Sequence, residues 1–528
     1  MKSIYKQPAN RKEQLLFPPS IEEYVSSDNP VRVIDDFVEL LDMQELGFTK
    51  ANLKSTDGQP AYHPKLLLKI YIYGYLNKIR SSRKLELEIK RNIELMWLCA
   101  GLSPSYKTIA NFRKENAKPL KRVFKEFIIL CKNIDLISGD IVAVDGAFLR
   151  ANASKNSLIT KKSVVRDLEK IDAKIDEYLK SIEFIDSKEK KDKLLTPPKY
   201  SLNQMRIKRE KISKDLDFLE SNNLTQYNKT DKDASLMKKP AHNLMAYNSQ
   251  IVVDEKFKFI VATNISSKGN DTQLLHKMAK ETKENLKIDK DTTLNIVADT
   301  GYYSAKELKK CKEDNINAIV PQANKQQVQK DKGKYSRDEF TYDKENDCYI
   351  CPNNQKLKKR VKAAQIKDDK VNFIYTGASA ICKACPLKDK CIPTKTPYKQ
   401  IYRWEYEEIV EQHNKKMQTK EAKELIKQRG SIVEHIFGTI KRTLGWDHFL
   451  LRGKEKVEGE NALIMFTYNF KRLLNLIGTT LFKKLIIAIK NGNLEEIKEE
   501  IRAYISSFML YLLNITRFSF NIRVYYIR

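Results

Sequence analysis

The sequence lacks any apolar run long enough to cross a membrane. A transmembrane helix needs roughly 18 or more consecutive apolar residues. The longest apolar segments of the 528-residue chain, around 485–489 and 508–515, are shorter and flanked by charge. The first seven residues also lack the apolar core of a secretion signal. We therefore expect a cytoplasmic protein.

Acidic residues are scarce relative to basic ones. The chain has 97 Lys and Arg against 68 Asp and Glu, a formal net charge of +29. An excess of this size indicates a polyanionic partner, and nucleic acid is the first candidate. The alternative is a composition bias, because Lys, Asn and Ile are all abundant, as an AT-rich coding sequence would produce. The 41% hydrophobic content is enough for real cores, and the length predicts roughly two to four domains.

Cysteine is also sparse: Cys99, Cys131 and Cys311 are scattered, and we expect them to be buried reduced thiols. The other five are clustered. Cys348 and Cys351 form one C-x-x-C pair, Cys382 and Cys385 form another, and Cys391 lies nearby.

Two C-x-x-C pairs in a cytosolic chain indicate a structural zinc ion, bound by four of these five cysteines. The pairs are further apart than in most zinc ribbons, and the fifth cysteine leaves the choice of ligands open. The alternative is a small reduced or redox-labile subdomain. A catalytic zinc is not expected, because four thiolates would leave no open position for a substrate.

The N-terminal residues, to about 135, predict a mostly helical region. One helix is expected from Pro64, since proline favours the first helical turn, another from Ser81, and a third within 104–116. Two short helices, a break and a helix that opens with Ser/Thr and carries Asn and Arg resemble a helix-turn-helix. The alternative is a helical bundle that only packs.

Two β-branched segments further on, 140–146 and 293–299, each contain an aspartate where the apolar run stops. We expect Asp145 and Asp299 at the C-terminal tips of buried strands, although an Asp-Gly turn is an alternative at the first. A β-hairpin is predicted between them, followed by a helix from Asp271. We interpret the Asp271 side chain as a helix cap, the alternative being a site residue. This order predicts an α/β fold with a mixed sheet, in which strand ends carry the chemistry.

Residues 155 to about 230 differ from these flanking segments. Apolar residues recur there at a spacing of three and four on both sides of Pro197-Pro198. This pattern predicts an antiparallel helical hairpin. Its outer faces are strongly charged, which indicates an insertion and not part of a catalytic core.

A third carboxylate, Glu434, lies on an amphipathic segment whose predicted core face comprises Val433, Phe437, Ile440 and Leu444. Glu434 sits beside this apolar stripe, and Lys441 lies on the same side two turns further on. Ser431 and Glu434 also fit the S-x-x-E capping box, in which both side chains would only cap a helix start.

Asp145, Asp299 and Glu434 therefore form an ordered D…D…E set from two strands and one helix. Three converging carboxylates are unstable unless cations neutralise them, and two divalent metal ions suit carboxylate oxygens. Such a pair can activate a water or a 3′-hydroxyl for attack on a phosphodiester. The positive net charge fits a substrate with a phosphate backbone.

The chain resembles the DDE transposases of bacterial insertion sequences over roughly residues 15 to 475. The resemblance is carried in the N-terminal part by His63-Pro64, Tyr73-Gly74-Tyr75, Ser82-Arg83-Lys84 and Thr108-Ile109-Ala110-Asn111-Phe112-Arg113. In the core it is carried by Val144-Asp145-Gly146, Tyr247-Asn248-Ser249-Gln250, Asn270-Asp271, Ala298-Asp299-Thr300-Gly301-Tyr302 and Val433-Glu434-His435-Ile436-Phe437-Gly438-Thr439-Ile440-Lys441.

The resemblance implies an RNase H-like fold with Asp145, Asp299 and Glu434 as ligands of two Mg²⁺ ions. It implies binding to the inverted repeats that end the element, strand cleavage there, and transfer of the 3′-hydroxyls to target DNA. We expect a homodimer in the DNA complex and a location at the bacterial nucleoid. Candidate DNA-binding residues are Lys441, Arg429, Arg113 and Arg83.

We expect the RNase H-like core at 136–320 and 402–475, with the helical-hairpin insertion at 155–230. A helical DNA-binding domain at 1–135 would precede the core, a cysteine-rich insertion would occupy 321–401, and a helical tail would occupy 476–528.

One departure from related families concerns the residues before the glutamate. Those families place Arg four residues before it and Lys seven after it. Lys441 fits, but the Arg position is Gly430, with Arg429 one residue away, and the family's Tyr position is Lys427. The role of Arg429 is therefore open.

Three other functions compete with the transposase interpretation. A different RNase H-like nuclease would share the chemistry and differ only in the DNA ends it acts on. A catalytically decayed transposase derivative or repressor would bind DNA through the N-terminal helices alone. An aspartic protease is suggested by Asp299-Thr300-Gly301, but it would require a second D-T-G or a dimer, and it explains neither the charge nor Glu434.

Overall fold

A computed structural model describes residues 20–52, 60–187, 201–238, 243–322, 331–367, 370–393 and 395–508. Its first part is helical, as the sequence predicts. The six helices are α1 (Pro30–Glu39), α2 (Pro64–Leu76), α3 (Ser82–Ile89), α4 (Ile93–Leu98), α5 (Tyr106–Glu115) and α6 (Ala117–Asn133).

Local sequence explains where several of these helices begin. Pro64 occupies the first position of α2, as predicted, and Ser81 caps α3 by accepting a hydrogen bond from the Lys84 N–H. An aromatic cluster then joins these helices to the rest of the chain. Phe37 of α1 and Phe127 of α6 pack on Phe466, with ring centroids 5.5 and 5.1 Å away.

The central sheet contains six strands. They are β1 (Ile141–Arg150), β4 (Ser235–Lys238), β5 (Asn243–Asp254), β6 (Ile260–Ser266), β7 (Leu294–Val297) and β8 (Ile316–Ile319). The spatial order runs β6–β5–β1–β7–β8, and β4 also pairs with the first part of β5. Three antiparallel strands are thus followed by two that run parallel to β1. This topology confirms the expected RNase H-like fold.

Helices flank this sheet. They are α9 (Leu275–Asn285), α10 (Ala305–Glu313), α13 (Glu407–Met417), α14 (Lys420–Gly438) and α15 (Lys454–Asn491). Helix α14 packs on β1, β7 and β8, and α15 packs on β6 and α6. The fully buried strand residues Val142, Ile251 and Ile296 form part of the core between these layers.

The predicted helical hairpin is also present. Helices α7 (Lys161–Ser187) and α8 (Leu202–Ser221) pack against each other, and the short strands β2 (Leu158–Thr160) and β3 (Gln226–Asn228) pair at its base. Pro197 and Pro198, at the predicted break, lie outside the described residues.

The cysteine-rich segment folds around a second, antiparallel sheet in the order β13–β12–β11–β10–β9. Its strands are β9 (Thr341–Asp343), β10 (Cys348–Ile350), β11 (Lys356–Lys367), β12 (Lys370–Thr376) and β13 (Gln400–Trp404). Two short helices, α11 (Ser379–Lys383) and α12 (Lys388–Cys391), lie between β12 and β13.

The last described part is a long helical segment. Helix α15 contains a break at Gly478, whose φ is +72°, and ends at Gly492, whose φ is +74°. The left-handed region favours glycine, which explains both positions. The helix is therefore interrupted at 492–493 and resumes at 494–508. Within the described residues, no helix is long and apolar enough to span a membrane.

Candidate active site

The strand that carries Asp145 is longer than predicted. Strand β1 does not end at this residue but continues to Arg150. Its parallel neighbour β7 pairs only as far as Ala143, whereas its antiparallel neighbour β5 pairs along most of its length. Asp145 thus lies where the parallel half of the sheet stops, although β1 itself runs on. The predicted strand end was wrong for this reason, because the pairing with β5 could not be read from the local sequence.

Asp299 lies two residues after the end of β7, as predicted. It precedes a single 3₁₀ turn, Thr300–Tyr302, and its Oδ1 accepts a hydrogen bond of 2.8 Å from the Gly301 N–H. Asp145 Oδ1 similarly accepts 2.9 Å from the Gly146 N–H. Both aspartates therefore lie at the same edge of the sheet, and each is oriented by a neighbouring backbone amide.

Electrostatic effects show that a third aspartate shares this edge. The pKa of Asp145 is raised to about 6, mainly by burial; the Gly146 N–H and Arg429 oppose this rise, and the nearby Asp299 and Asp271 carboxylates add to it. Carboxylates grouped in this way favour a bound cation, because each disfavours the ionised form of the others.

Glu434 lies far from the start of its helix. Helix α14 begins at Lys420, and Thr419 is its cap, accepting a hydrogen bond from the Ala422 N–H. Ser431 instead donates to the carbonyl of Gln428 within the helix. The capping-box alternative is therefore wrong for Ser431 and Glu434.

The apolar stripe beside Glu434 is buried as predicted: Val433, Phe437, Ile440 and Leu444 are at most 6% exposed. The Glu434 side chain itself is 60% exposed. The helix therefore fixes its backbone while its carboxylate remains accessible.

Arg429 connects Glu434 to the aspartates. Its Nη2 lies 2.8 Å from Glu434 Oε1, and its side chain is only 14% exposed. Its Nη1 is buried and has no hydrogen-bond partner among the described residues. Because Arg429 also lowers the pKa of Asp145, its guanidinium acts as the local counter-charge of the acidic edge.

Gly430 explains the departure from the related families. A Cβ at this position would lie 3.3 Å from Cδ and both oxygens of Glu434, closer than ordinary packing allows. The absence of a side chain at this position leaves room for the Glu434 side chain beside Gly430, where it pairs with Arg429.

Asp271 was misinterpreted from the sequence. Helix α9 begins at Leu275, not at Asp271, and its start has no side-chain cap. The Asp271 Oδ1 instead accepts hydrogen bonds from Asn248 Nδ2 at 2.7 Å and from Gln250 Nε2 at 2.8 Å. The polar run in Tyr247-Asn248-Ser249-Gln250, within an otherwise apolar strand, was the sequence signal that these amides bind a polar partner.

The candidate DNA-binding residues have different environments. Arg83 is exposed and lies over the Tyr106 ring, 5.2 Å from its centroid. Lys441 is partly exposed beside the Phe437 ring. Arg113 is 5% exposed, donates to the Tyr75 hydroxyl at 2.9 Å, and lies 3.8 Å from Glu460. The interpretation of Arg113 as a DNA contact does not fit this burial, because its guanidinium faces the interior.

Of the five clustered cysteines, four line one cavity and the fifth lies apart from it. Cys351, Cys382, Cys385 and Cys391 line a cavity of about 40 Å³. Burial raises the pKa of the Cys391 thiol, Lys399 lowers it, and the other three thiols raise it. Cys348 is buried on β10 and does not line this cavity. Cys99, Cys131 and Cys311 are buried free thiols, as predicted.

No ready-made metal site is present in the described part of the chain. No group of three or more His, Cys, Asp or Glu side chains there is arranged to hold a metal ion as it stands. The donor chemistry at the sheet edge nevertheless fits Mg²⁺, which prefers carboxylate oxygens. Arg429 places a positive charge near these carboxylates, and its buried Nη1 has no hydrogen-bond partner among the described residues.

Two protein families match the chain. The family described as Transposase domain (DUF772) matches residues 19–115, in the helical N-terminal part. The family described as Transposase DDE domain matches residues 350–474, from the cysteine-rich sheet through α14 into α15. The chain thus matches a transposase DDE domain in its C-terminal half and a second transposase domain near its N-terminus. Both matches agree with the resemblance seen in the sequence.

The second match contains Glu434, whereas Asp145 and Asp299 lie outside both matched ranges. The assignment of the two aspartates therefore depends on the geometry described above. No curated protein matches the chain.

One solved structure similar to this chain is a cryo-EM structure of the piggyBac transposase synaptic complex with hairpin DNA. The match covers 90% of this chain and 82% of that chain at 10% identity, with a TM-score of 0.28. This similarity is too low to support an argument about fold or mechanism.

Proposed function

We propose that the chain binds the terminal inverted repeats of an insertion sequence and catalyses strand cleavage and strand transfer there, using two Mg²⁺ ions. The observation that carries this proposal is a chain of contacts at one edge of an RNase H-like sheet: Asp145 interacts electrostatically with Asp299 and Arg429, and Arg429 pairs with Glu434. Transposase families matching both parts of the chain support it.

In this proposal Asp145, Asp299 and Glu434 hold the metal ions. The Gly146 and Gly301 amides orient the two aspartates. Glu434 must leave Arg429 to become a ligand, and its exposed position allows that rotation. Bound divalent ions would activate a water or 3′-hydroxyl and stabilise the leaving oxygen of the phosphodiester.

The proposed DNA contacts are basic residues near the site and on the N-terminal helices. Arg429, released from Glu434, would face a DNA phosphate at the reacting end. Lys441 would contact the backbone two turns along the same side, and Arg83 would contact DNA from the helical domain. The net charge of +29 supports a polyanionic partner. We propose the same domain division as predicted from the sequence and a homodimer on DNA. Arg113 is not among the proposed DNA contacts.

We further propose that Cys351, Cys382, Cys385 and Cys391 bind one structural zinc ion. Their shared cavity supports this choice of four among the five clustered cysteines. The Gln355 N–H lies 3.4 Å from Cys351 Sγ and the Asn353 amide lies 3.6 Å from Cys385 Sγ, so both are placed to stabilise thiolates.

The test is Mg²⁺-dependent cleavage of a labelled fragment that carries the element's own end. Wild type is expected to cleave it, and Glu434→Gln is expected to bind the fragment without cleaving it. Glu424→Gln is the matched control, because Glu424 is exposed on the same helix. Cleavage by Glu434→Gln at the wild-type rate would remove Glu434 from the site. Binding without cleavage by wild type would favour a decayed DNA-binding protein.

A further inference from the structure

The environment of Asp271 is built by three buried side chains. Asn248 and Gln250 are 1% and 0% exposed, and both donate to the same Asp271 oxygen. Gln250 also donates to Asn248 Oδ1 at 3.0 Å and accepts a hydrogen bond from the Tyr302 hydroxyl. Each amide is therefore fixed by a further partner, so Asp271 Oδ1 is held in one orientation.

The neighbouring strand is shaped to admit this network. A Cβ at Gly146 would lie 2.1 Å from Gln250 Nε2 and 3.0 Å from Asn248 Oδ1. Any larger residue beside Asp145 would therefore displace the amide that holds Asp271. The absence of a side chain at Gly146, directly after Asp145, thus leaves room for the Gln250 amide that binds Asp271.

The second oxygen of Asp271 lies on the side of Gly301 and Asp299. It lies 3.8 Å from the ideal Cβ position on Gly301, and Asp299 Oδ1 lies 3.0 Å from that same point. The two carboxylates thus lie close to each other. An asparagine could accept both amide hydrogen bonds equally well, so the Asn248 and Gln250 donors do not by themselves require a negative charge at position 271.

We propose that Asp271 is a fourth carboxylate of the metal site and shares a divalent cation with Asp299. This inference rests on the proposed function and adds a ligand to the D…D…E set. Asn248, Gln250 and Tyr302 are positioning residues that aim the free oxygen of Asp271 towards that cation. A cation at this place offsets the repulsion between Asp271 and Asp299, which otherwise opposes their close approach.

Titration of the full chain with Mn²⁺ in the absence of DNA, followed by calorimetry, tests this proposal. Asp271→Asn keeps the acceptor for Asn248 and Gln250 and removes the charge. We expect it to weaken Mn²⁺ binding by about tenfold to a hundredfold, as loss of a metal-site group does, or to remove one of two ions. The control is Asp254→Asn, because Asp254 is a buried aspartate at the end of β5 that only accepts hydrogen bonds from 138–139 and Lys256.

Wild-type affinity and stoichiometry in Asp271→Asn would overturn the proposal, as would equal weakening in Asp254→Asn. If wild type binds Mn²⁺ and Asp145→Asn weakens that binding while Asp271→Asn does not, the proposed function stands and only the role of Asp271 fails. Wild type that neither binds Mn²⁺ nor cleaves DNA would contradict the proposed function itself.

A second variant keeps the test valid if Asp271→Asn fails to fold. Asp271→Cys places a thiolate, which prefers softer metals to Mg²⁺. We expect cleavage of the end fragment by this variant with Mn²⁺ but at least about tenfold less with Mg²⁺, relative to wild type under the same ions. A purely structural role would give the same loss with both ions, and that result would overturn the proposal.

Discussion

Arg429 Nη2 lies 2.8 Å from Oε1 of Glu434, five residues further along the same helix. Because Arg429 also lowers the pKa of Asp145, one guanidinium interacts electrostatically with a carboxylate on the sheet and with another on the helix. In the proposed function, the positive charge of Arg429 would therefore neighbour the bound metal ions.

Arg429 and a metal ion should therefore compete. Arg429→Met is expected to tighten Mn²⁺ binding in the absence of DNA by about tenfold, or about 1.4 kcal/mol, because the internal counter-charge is lost. Cleavage should fall, because the same guanidinium is the proposed phosphate contact. Calorimetry and the cleavage assay measure both effects. Lys423→Met, at an exposed position on α14, is the control, and unchanged Mn²⁺ affinity in Arg429→Met would refute this competition.

Two glycines of α14 give a matched pair for testing the position of Glu434. A Cβ at Gly438 would contact nothing within 4 Å, whereas one at Gly430 would crowd the Glu434 carboxylate. Gly438→Ala should stabilise the chain by up to about 1 kcal/mol through helix propensity. Gly430→Ala should gain less, because the Arg429–Glu434 pair is displaced. Equal shifts in thermal unfolding would show that the pair contributes no stability.

The fold could be predicted further than the site. Strand and helix periodicity gave the central strands, the helical hairpin and the core face of α14, because these patterns are local. The course of β1 past Asp145 was missed, because it depends on pairing with β5, a partner distant in sequence. Asp271 was misinterpreted for a similar reason: its amide partners Asn248 and Gln250 lie on another strand.

Arg113 shows the same limit in the helical domain. A basic residue on the last helix of an apparent helix-turn-helix suggested a DNA contact. Its actual partners include Glu460 of α15, more than 300 residues away in sequence. Only the folded chain brings these residues together.

Arg113 and Arg83 should therefore respond differently to substitution. Arg113→Ala is expected to destabilise the chain by about 3–5 kcal/mol, because it leaves the fully buried Glu460 with one cation fewer. Arg83→Ala should leave thermal stability unchanged and weaken binding to the end fragment. The affinity of this variant should also depend less on salt concentration than that of wild type. Thermal unfolding and binding at two salt concentrations measure these effects. A stable Arg113→Ala with weakened DNA binding would restore the original interpretation of Arg113.

The arrangement of the clustered cysteines predicts the zinc content of the chain. Elemental analysis of the purified chain should find one zinc ion per chain. Cys385→Ser should lose the ion, because Cys385 lines the shared cavity, whereas Cys348→Ser should retain it, because Cys348 does not. Zinc lost equally from both variants would assign the ligands differently. A wild-type chain without zinc would leave the cluster as a reduced subdomain.

The most direct test of the account is the location of Mn²⁺ by anomalous X-ray scattering in crystals of the chain bound to its DNA end. We expect two anomalous peaks at the sheet edge, ligated by Asp145, Asp299 and Glu434, with Glu434 released from Arg429. An edge without Mn²⁺, with Glu434 still paired to Arg429 beside a bound DNA end, would contradict it.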